Sequence, residues 1–341
     1  MGMRKVKAED AVGMVLGHDL TQVIPGEFKG PVFKKGHRIR EEDIPTLLAT
    51  GNDYIYILEL QEGEIHEDEA AIRVARAVAG SGLETTSPQE GKVTIKAKGK
   101  GLLRVRRELV DRINFLGEVI LSTVHDRIPC EEGMMVAATR VIPLLVPEEL
   151  VKKVEEICEG TPPLELLPYL KRRVGVVVTG NEVFYGRVPD GFDATVGKRI
   201  ARYGGEVVKK LLAPDDPEEI AARIKELKAS SPDVILTTGG LSVDPGDRTK
   251  EGVERAGAEV VSYGSPILPG AMFLYALLDG VPVLGLPACV FYHPSTVFDL
   301  IFPRVAAGEE ITREDILQLG YGGLCLNCPS CRFPICPFGK V

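Results

Sequence analysis

Two stretches of the chain place glycines and acids directly after runs of apolar residues. The first loop, residues 179–182, reads TGNE, and the second loop, residues 237–249, reads TTGGLSVDPGDRT. Glycines at a strand end let backbone N–H groups approach an anion closely, and a following helix adds a favourable field. The acids in these loops, Glu182, Asp244 and Asp247, are hard oxygen ligands that Mg²⁺ accepts. The two loops therefore predict a site for a phosphate accompanied by a divalent cation.

Hydroxyl groups in the second loop fit the same ligand. Ser242 and Thr249 can donate hydrogen bonds to phosphate oxygens. A single glycine-rich strand end is most often a simple tight turn, but two such ends with acids in one α/β unit favour a binding site. The chain has neither a Walker-type Gly-Lys-Ser/Thr nor a GxGxxG pattern, so the common mononucleotide and dinucleotide sites lack their signatures.

Four of the seven cysteines form a third group, near the end of the sequence. Cys325, Cys328, Cys331 and Cys336 are separated by two, two and four residues. In a reducing compartment, a cluster this dense is more typical of a metal site than of disulfides. Four thiolates suffice for tetrahedral Zn²⁺. The spacing is also one residue longer than a ferredoxin run and shares the proline after its last cysteine. We expect Zn²⁺ or an iron–sulfur cluster here, with a disordered, reactive tail as the alternative.

Strand and helix patterns from residue 173 onward would bring the first two loops together. Continuous apolar runs at residues 174–178 and 234–236 predict buried strands over 174–178 and 233–236, each ending at one of the loops. Further strands are predicted at 206–212, at 259–261 and on both sides of Gly280, and helices at 193–203, 217–229, 247–255 and 294–305. This alternation predicts an α/β fold with a mixed, mainly parallel sheet covered by helices. In such a sheet, ligands bind at the carboxyl ends of the strands.

Pattern changes divide the chain into four expected segments. They are an α+β module at residues 1–160, a Pro-rich connector at 161–172, the α/β domain at 173–312 and a short Cys-rich, metal-binding tail at 313–341. Within the first module, the expected elements are a short helix, a turn and a strand over 44–60, a helix over 68–79, a strand with one solvated face over 93–97, and a helix after Pro147.

Composition limits the classes of function. The net charge of −8 argues against a general nucleic-acid binder, although residues 92–107 contain seven basic residues and no acid. We interpret that run as a solvated face, with a docking patch for an acidic partner as the alternative. The apolar stretch 267–292 is interrupted by Asp279-Gly280 and by prolines, which predicts two buried strands rather than a membrane span. The early basic residues are not followed by the apolar segment of a signal peptide, so we expect a cytoplasmic protein with no membrane partner.

Four motifs, in this order and spacing, resemble the molybdopterin-binding domain of molybdenum-cofactor biosynthesis proteins. They are VVVTGNEVFYGRV (residues 176–188), TTGGLSVDPGDRT (237–249), SPILPGAMF (265–273) and VPVLGLPAC (281–289). The resemblance covers residues 172–308. The family includes molybdotransferases of the MoeA type and molybdopterin adenylyltransferases of the MogA type. Residues 11–39 also resemble the segment that precedes the catalytic domain in MoeA-type proteins.

The resemblance assigns roles to residues in all four motifs. It implies that Glu182, Asp244 and Asp247 are catalytic and bind Mg²⁺. The molybdopterin-binding residues that it implies are Thr179, Gly180, Asn181, Thr238, Gly239, Gly240, Ser242, Thr249, Pro269, Gly270 and Pro287. The glycines would cradle the terminal phosphate of molybdopterin, and the acids would hold Mg²⁺ or orient molybdate near the dithiolene. Asn181 departs from the family, which usually has an acid at that position, and this departure weakens the metal site.

The resemblance implies a homo-oligomeric transferase, a dimer, that inserts molybdate into molybdopterin with Mg²⁺. Three alternatives stay open. An adenylyltransferase would make adenylylated molybdopterin from ATP and Mg²⁺. A cofactor carrier or chaperone would deliver finished cofactor to a molybdoenzyme, and a pyrophosphatase-like relative would share only the domain. Other cofactor-biosynthesis proteins or a molybdoenzyme are the protein partners that the resemblance implies.

Overall fold

The computed structural model describes residues 3–24, 28–58, 62–89, 91–242, 244 and 246–340 of the 341-residue chain. The chain forms two compact units. Unit 1 comprises Met1–Lys98, Val105–Val124 and Glu132–Leu166, and unit 2 comprises Gly99–Arg104, His125–Glu131 and Leu167–Val341. The chain passes from unit 1 to unit 2 for the last time after Leu166, within the connector expected at residues 161–172. Two short segments of the expected first module are part of unit 2. No helix among the described residues is long and apolar enough to cross a membrane.

The first third of unit 1 is built from short strands around a small core. Its elements are β1 (Met3–Lys7), β2 (Leu20–Ile24), β3 (Phe28–Phe33), α1 (Ile44–Ala49) and β4 (Tyr54–Leu58). Strands β1 and β4 pair antiparallel, as do β2 and β3. The segment that resembles MoeA-type proteins, 11–39, contains the β2–β3 pair, and its residues 25–27 lie outside the described residues. Leu16, Leu47 and Ile55 are buried in the core that these elements share. Helix α1 and strand β4 confirm the short helix and the strand predicted within 44–60, of which residues 59–60 lie outside the described residues.

The remainder of unit 1 packs helices on a four-stranded sheet. The further strands between residues 64 and 168 are β5 (Glu64–His66), β6 (Leu83–Thr85), β7 (Lys92–Ala97), β8 (Gly101–Val105), β9 (Val119–Thr123), β10 (Pro129–Cys130), β11 (Met135–Val141), β12 (Leu145–Pro147) and β13 (Leu164–Pro168). Of these, β10 and all of β8 except Val105 belong to unit 2. The helices are α2 (Glu67–Val78), α3 (Arg107–Asn114) and α4 (Glu148–Cys158). The sheet order is β6-β7-β11-β9, and β5 pairs with β12.

Three of the predicted elements in this region are confirmed, and one helix was not predicted. Helix α2 begins and ends one residue before its predicted bounds, and helix α4 begins directly after Pro147, as predicted. Strand β7 buries Val93, Ile95 and Ala97 and turns its lysines outward, as the alternation predicted. Helix α3 begins at the last residue of the basic run. The buried residues of this helix are Val110 and Ile113. Two apolar positions are too few to predict a helix from the sequence.

Unit 2 is dominated by one six-stranded sheet. Its strands are β14 (Arg172–Thr179), β15 (Gly205–Ala213), β16 (Val234–Thr238), β17 (Glu259–Tyr263), β18 (Leu274–Leu278) and β19 (Val281–Leu286). The order is β15-β14-β16-β19-β18-β17, with parallel pairing among the first four strands and antiparallel pairing at β18. The predicted fold class, a mixed and mainly parallel sheet covered by helices, is therefore confirmed.

Helices cover both faces of this sheet, which explains why its central strands are wholly apolar. The helices are α5 (Asn181–Phe184), α6 (Lys198–Arg202), α7 (Pro217–Lys228), α8 (Thr249–Arg255), α9 (Val297–Ala306) and α10 (Arg313–Gln318). Val178 of β14 packs in the core that includes Phe298, whereas its neighbour Val177 packs in the core that includes Ile224. Successive side chains of a strand point to opposite faces, so both faces need apolar residues.

Two predicted helices in unit 2 need correction. The helix expected over 247–255 begins at Thr249, because Asp247 closes a turn with Asp244. The helix expected over 193–203 consists of a π-helical turn, Asp193–Gly197, followed by α6. Helix α10 was not predicted, although Thr312 and Asp315 form a capping box that marks its start. The tail after α10 is packed rather than free, since Phe338 is buried in the same core as Phe298.

Candidate functional site

The parallel register of β14 and β16 brings the two predicted loops to one edge of the sheet. Val178 lies opposite Thr238, so Thr179, the last residue of β14, lies next to Gly239, the first residue after β16. Gly180 has φ 136°, a conformation that other residues rarely adopt, and its N–H donates to the carbonyl of Ala213 at the end of β15 (3.2 Å). Three parallel strands therefore end at this edge, as expected for a ligand crevice in an α/β sheet.

Asn181 is fixed by an acid that sequence analysis missed. Its backbone N–H donates to Asp215 Oδ2 (2.9 Å), and the N–H of Asp215 donates to Asn181 Oδ1 (3.2 Å). Asp215 lies two residues beyond the end of β15 and is half-buried. The resemblance leads us to expect an acid at the position of Asn181. Asp215 supplies a carboxylate beside that position. The sequence did contain a signal for Asp215. This acid comes just after a strand, in Ala213-Pro214-Asp215, and that strand ends at the same edge of the sheet.

Two hydroxyl groups join the first loop to the second. Thr179 Oγ1 donates to the carbonyl of Thr238 (2.8 Å), because a carbonyl can only accept. Thr179 Oγ1 must then accept from Thr249 Oγ1 at 2.9 Å, so the Thr249 hydroxyl hydrogen is used within the protein. All three threonines are buried. Thr249, which the sequence suggested as a donor to phosphate, holds the two loops together in this arrangement.

Glycines are required where the second loop passes these threonines. Gly239 has φ 88°, and a Cβ there would lie 2.7 Å from the Thr179 carbonyl oxygen. Gly240 has φ 57°, and a Cβ there would lie 2.5 Å from Thr249 Oγ1. The third glycine of the loop, Gly246, has nothing within 4 Å of such a Cβ. The loop can therefore follow this path only with glycine at its first two glycine positions.

The turn after these glycines leaves donors unused. Within the part of the chain that the structure describes, the backbone N–H groups of Gly240, Leu241 and Ser242 have no hydrogen-bond partner. Leu241 anchors the turn, since its side chain is buried and would contact any Cβ at Gly285 of β19. The hydroxyl of Thr238 is buried and also has no partner. Successive free backbone N–H groups in a turn form the kind of concavity that binds anions.

The predicted acids lie around this turn but do not form a closed metal site. Glu182 and Asp244 are exposed, and Asp247 accepts a hydrogen bond from the N–H of Asp244 (2.9 Å). Among the described residues, three acidic, histidine or cysteine ligand atoms come within 4.8 Å of one another only at His66, Glu67 and Asp68 in unit 1. Mg²⁺ usually takes only one or two protein carboxylates together with substrate phosphates, so the open arrangement is compatible with Mg²⁺ bound along with a ligand.

The third and fourth motifs pack against the start of α9. Gly270 has φ 138°, and a Cβ there would lie 2.6 Å from Val297 Cβ. The carbonyl of Pro269 accepts from the N–H of Val297 (3.2 Å), and Pro287 precedes a 3-10 turn, Ala288–Phe291. These contacts give the two prolines and Gly270 a structural part in shaping the domain. Their predicted contact with molybdopterin stays a prediction.

The four tail cysteines line a single cavity in unit 2. Cys325, Cys328, Cys331 and Cys336 line a cavity of about 280 Å³, and His293 and Ser295 also line it. All four cysteines are free thiols in the structure. Cys331 Sγ lies 3.3 Å from the hydroxyl of Ser295, which precedes α9. The sequence predicted that these cysteines act together, and the structure places them around the same space.

Comparison with known proteins supports the resemblance for one part of the chain. Residues 175–307 match the family described as "Probable molybdopterin binding domain", and residues 5–59 match a family described as a domain of unknown function. The predicted resemblance to the molybdopterin-binding domain of molybdenum-cofactor biosynthesis proteins is thereby confirmed for residues 175–307. The second match leaves the MoeA-like character of residues 11–39 a prediction.

Curated relatives match over a shorter stretch. A CinA-like protein of Citrifermentans bemidjiense is 38% identical over 96 residues, which are 28% of this chain and 23% of that protein. A CinA-like protein of Mycobacterium avium is 38% identical over 90 residues, 26% of this chain and 21% of that protein. The chain thus spans less than a quarter of the length of these relatives.

Solved structures with detectable similarity include two proteins of molybdopterin biosynthesis. One is the enzyme MoaB of Thermus thermophilus, with 20% identity and a TM-score of 0.35 over 40% of this chain and 98% of that one. The other is the MoeA protein of Pyrococcus horikosii, with 16% identity and a TM-score of 0.33 over 90% of this chain and 75% of that one. TM-scores of this size do not establish a common fold for the whole chain.

Proposed function

We propose that unit 2 binds molybdopterin at the first and second loops and promotes the insertion of molybdate into its dithiolene. The observation that carries the proposal is the row of partnerless N–H groups at Gly240, Leu241 and Ser242, next to two glycines that no other residue can replace. An anion placed there would receive successive backbone hydrogen bonds. The terminal phosphate of molybdopterin is the anion that the matched domain family suggests.

Charge explains why a cation belongs to this proposal. Phosphate and molybdate are both anions, and Glu182, Asp215 and Asp244 add negative charge around the loops. Without a cation these groups repel the ligands. Mg²⁺ held by one or two of these carboxylates would neutralise the site and bring the two anions together. The unused N–H donors and the acids would then act on different parts of the same bound ligand.

The chemistry that we propose depends on positioning rather than on a covalent intermediate. As the two Mo–S bonds form, the two thiol groups give their protons to one molybdate oxygen, which leaves as water, and molybdenum keeps the other three oxygens. The reaction is therefore balanced without an oxidant or a reductant. The site would contribute by holding the dithiolene and molybdate in contact and by screening their charges.

A second candidate, a carrier of finished cofactor, is favoured by two observations. The side-chain oxygen of Asn181 is used to hold the loop to Asp215, and Glu182, Asp244 and Asp247 form no three-ligand cluster among the described residues. A carrier needs the anion-binding turn but no catalytic metal. Binding without turnover would therefore distinguish the carrier from the transferase.

The test is reconstitution of a cofactor-free molybdoenzyme. Purified protein is incubated with molybdopterin, or its adenylylated form, together with molybdate and Mg²⁺, and the recovered activity of the molybdoenzyme is measured. A parallel reaction contains molybdopterin, ATP and Mg²⁺ and is analysed for adenylylated product. Glu182→Gln and Asp244→Asn are compared with Asp279→Asn, an exposed acid at the β18–β19 turn whose φ of 47° asparagine also adopts.

The outcomes separate the candidates. The transferase proposal requires molybdate-dependent reconstitution that Glu182→Gln and Asp244→Asn reduce and Asp279→Asn leaves unchanged. Adenylylated product in the parallel reaction would identify an adenylyltransferase. Tight binding of molybdopterin with neither reaction would support the carrier, and no binding of either pterin would contradict both proposals.

A further inference from the structure

The cavity lined by the four tail cysteines is built by two segments that are distant in the sequence. One wall is the segment of residues 293–295, before α9, and the other is the tail from Leu324 to Phe338. The volume of about 280 Å³ is far larger than a single metal ion. Cys328 and Cys331 are exposed, and Cys325 and Cys336 are half-buried. The cavity therefore opens to solvent on the side where two of its cysteines lie.

The backbone of the tail is held in place by contacts that involve no sulfur. The N–H of Leu268 donates to the Gly323 carbonyl (2.8 Å), and the N–H of Cys325 donates back to the Leu268 carbonyl (2.8 Å). After the cysteines, Phe338 is only 2% exposed in the core of unit 2. The N–H of Gly339 donates to the Gly322 carbonyl (2.9 Å), which closes the tail into a loop. The fold of the tail thus presents its four thiols around the cavity.

The four sulfur atoms, as the structure places them, do not form a closed zinc site. Four thiolates around one Zn²⁺ at about 2.3 Å must lie only about 3.8 Å from one another. No three of these four sulfurs lie within 4.8 Å of one another. A cluster of several iron and sulfide ions has the opposite requirement, because each thiolate binds a different part of the cluster and the sulfurs stay farther apart.

A buried serine lies next to one of the four cysteines. Ser295 is only 5% exposed, and its hydroxyl lies 3.3 Å from Cys331 Sγ. When Cys331 is a thiolate ligand, only the serine can donate this hydrogen bond. Hydrogen bonds to the sulfurs are one of the means by which proteins tune iron–sulfur clusters.

We propose that Cys325, Cys328, Cys331 and Cys336 ligate an iron–sulfur cluster in this cavity. The wide spacing of the sulfurs, the size of the cavity and the run of cysteines separated by two residues all fit a cluster with more than one iron. In a bacterial ferredoxin run the fourth cysteine belongs to another cluster, whereas here Cys336 lines the same cavity as the other three. This proposal does not depend on the function proposed for the loops.

The test uses the full chain prepared without oxygen and, separately, metal-free protein treated with ferrous iron, sulfide and a thiol reductant. A parallel sample receives Zn²⁺ alone. Iron, acid-labile sulfide and zinc are measured per chain, and the iron-loaded protein is examined by visible absorption and by electron paramagnetic resonance after reduction. We expect about two to four irons per chain with an equal amount of sulfide. Tightly bound zinc without sulfide, or cysteines that stay fully open to alkylation after the iron treatment, would overturn the proposal.

Serine substitutions locate the cluster. Cys328→Ser changes an exposed cysteine, so it should leave the fold intact, which circular dichroism checks. Removing a group that only orients a metal ligand typically lowers metal affinity about 10–100-fold. Removing a ligand itself should therefore weaken iron binding by at least about 10-fold. Cys289→Ser is the matched control, because Cys289 is a free cysteine of unit 2 that does not line the cavity. Equal iron in both variants would contradict the assignment.

Discussion

Thr249 Oγ1 donates a hydrogen bond to Thr179 Oγ1 across 2.9 Å and thereby joins the two loops of the proposed molybdopterin site. Thr179 has no second hydrogen to give, since its own is donated to the Thr238 carbonyl. The bond therefore has a fixed direction, from the start of α8 to the end of β14. It sets the distance between the loop that carries Glu182 and the loop that carries the unused N–H groups.

Replacing Thr249 by valine should weaken both stability and ligand binding. The change keeps the shape of the side chain and removes one buried hydrogen bond, which should lower the free energy of unfolding by about 1 kcal/mol. Molybdopterin binding should weaken because the two loops are no longer held together. Thr237→Val is the control: the Thr237 hydroxyl is buried without a partner, so its loss should be neutral or stabilising. Thermal unfolding and ligand titration measure both effects, and equal behaviour of the two variants would contradict the role of the bond.

Gly240→Ala tests the anion-binding turn directly. Alanine at φ 57°, with its Cβ 2.5 Å from Thr249 Oγ1, would have to displace the turn, at a cost of about 1–2 kcal/mol in backbone conformation alone. We expect molybdopterin binding to be lost while the far-ultraviolet circular dichroism of the protein is unchanged. Gly246→Ala in the same loop adds the same methyl group where nothing lies within 4 Å. Binding that survives in Gly240→Ala and fails in Gly246→Ala would place the ligand elsewhere.

Sequence analysis predicted that the two loops lie at one edge of the sheet, because local patterns sufficed to identify their strands. The apolar runs before Thr179 and Thr238 indicated buried parallel strands, and such strands must end at one edge of a sheet. The link between Asn181 and Asp215 was missed because it depends on the register of β14 and β15, which apolar patterns leave open. The spacing of the tail sulfurs was also beyond sequence reasoning, since it follows from contacts such as that between Leu268 and Gly323.

The pair Asn181 and Asp215 predicts opposite effects of two substitutions on Mg²⁺ binding. Asn181→Asp adds a carboxylate beside Asp215 and should tighten Mg²⁺ binding by about 5–10-fold, on the order of 1 kcal/mol for one more nearby charge. Asp215→Asn removes a charge at the same place and should weaken it by a similar factor. Calorimetric titration of Mg²⁺ in the presence of molybdopterin measures both affinities. Changes in the same direction for the two variants would show that this corner of the site does not face the cation.

Acid should destabilise unit 2 through Asp315. Burial alone would raise the pKa of this carboxyl, but hydrogen bonds from the Thr312 N–H and the Arg304 guanidinium outweigh it and lower the pKa to about 2. A folded pKa below the unfolded value of about 3.9 gives stability that is present above about pH 4 and is lost as the pH falls toward about 2.

Asp315→Asn should remove this dependence on pH. The wild-type advantage has an upper value of about 2.6 kcal/mol. We expect a loss of about 1–2 kcal/mol at pH 7, because part of the carboxylate faces solvent and is screened. Below about pH 2 the two proteins should be equally stable. Denaturant unfolding between pH 2 and 7 measures the difference, with Asp279→Asn as an exposed control. A constant gap at all pH values would indicate a packing defect rather than the loss of a charge.

Ser295→Ala tests the hydrogen bond to Cys331 once the iron–sulfur cluster is established. A donor to a ligand sulfur stabilises the more negative, reduced cluster, so its loss should lower the reduction potential. We expect a decrease of about 20–60 mV, the one-electron equivalent of about 0.5–1.4 kcal/mol, with iron and sulfide contents unchanged. Ser265→Ala is the control, because the Ser265 hydroxyl donates to the Gly270 carbonyl and not to a sulfur. Potentiometric titration followed by electron paramagnetic resonance gives both values. An unchanged potential with full iron content would show that Ser295 does not donate to the bound cluster, whereas loss of iron would show that the serine is needed to form the site.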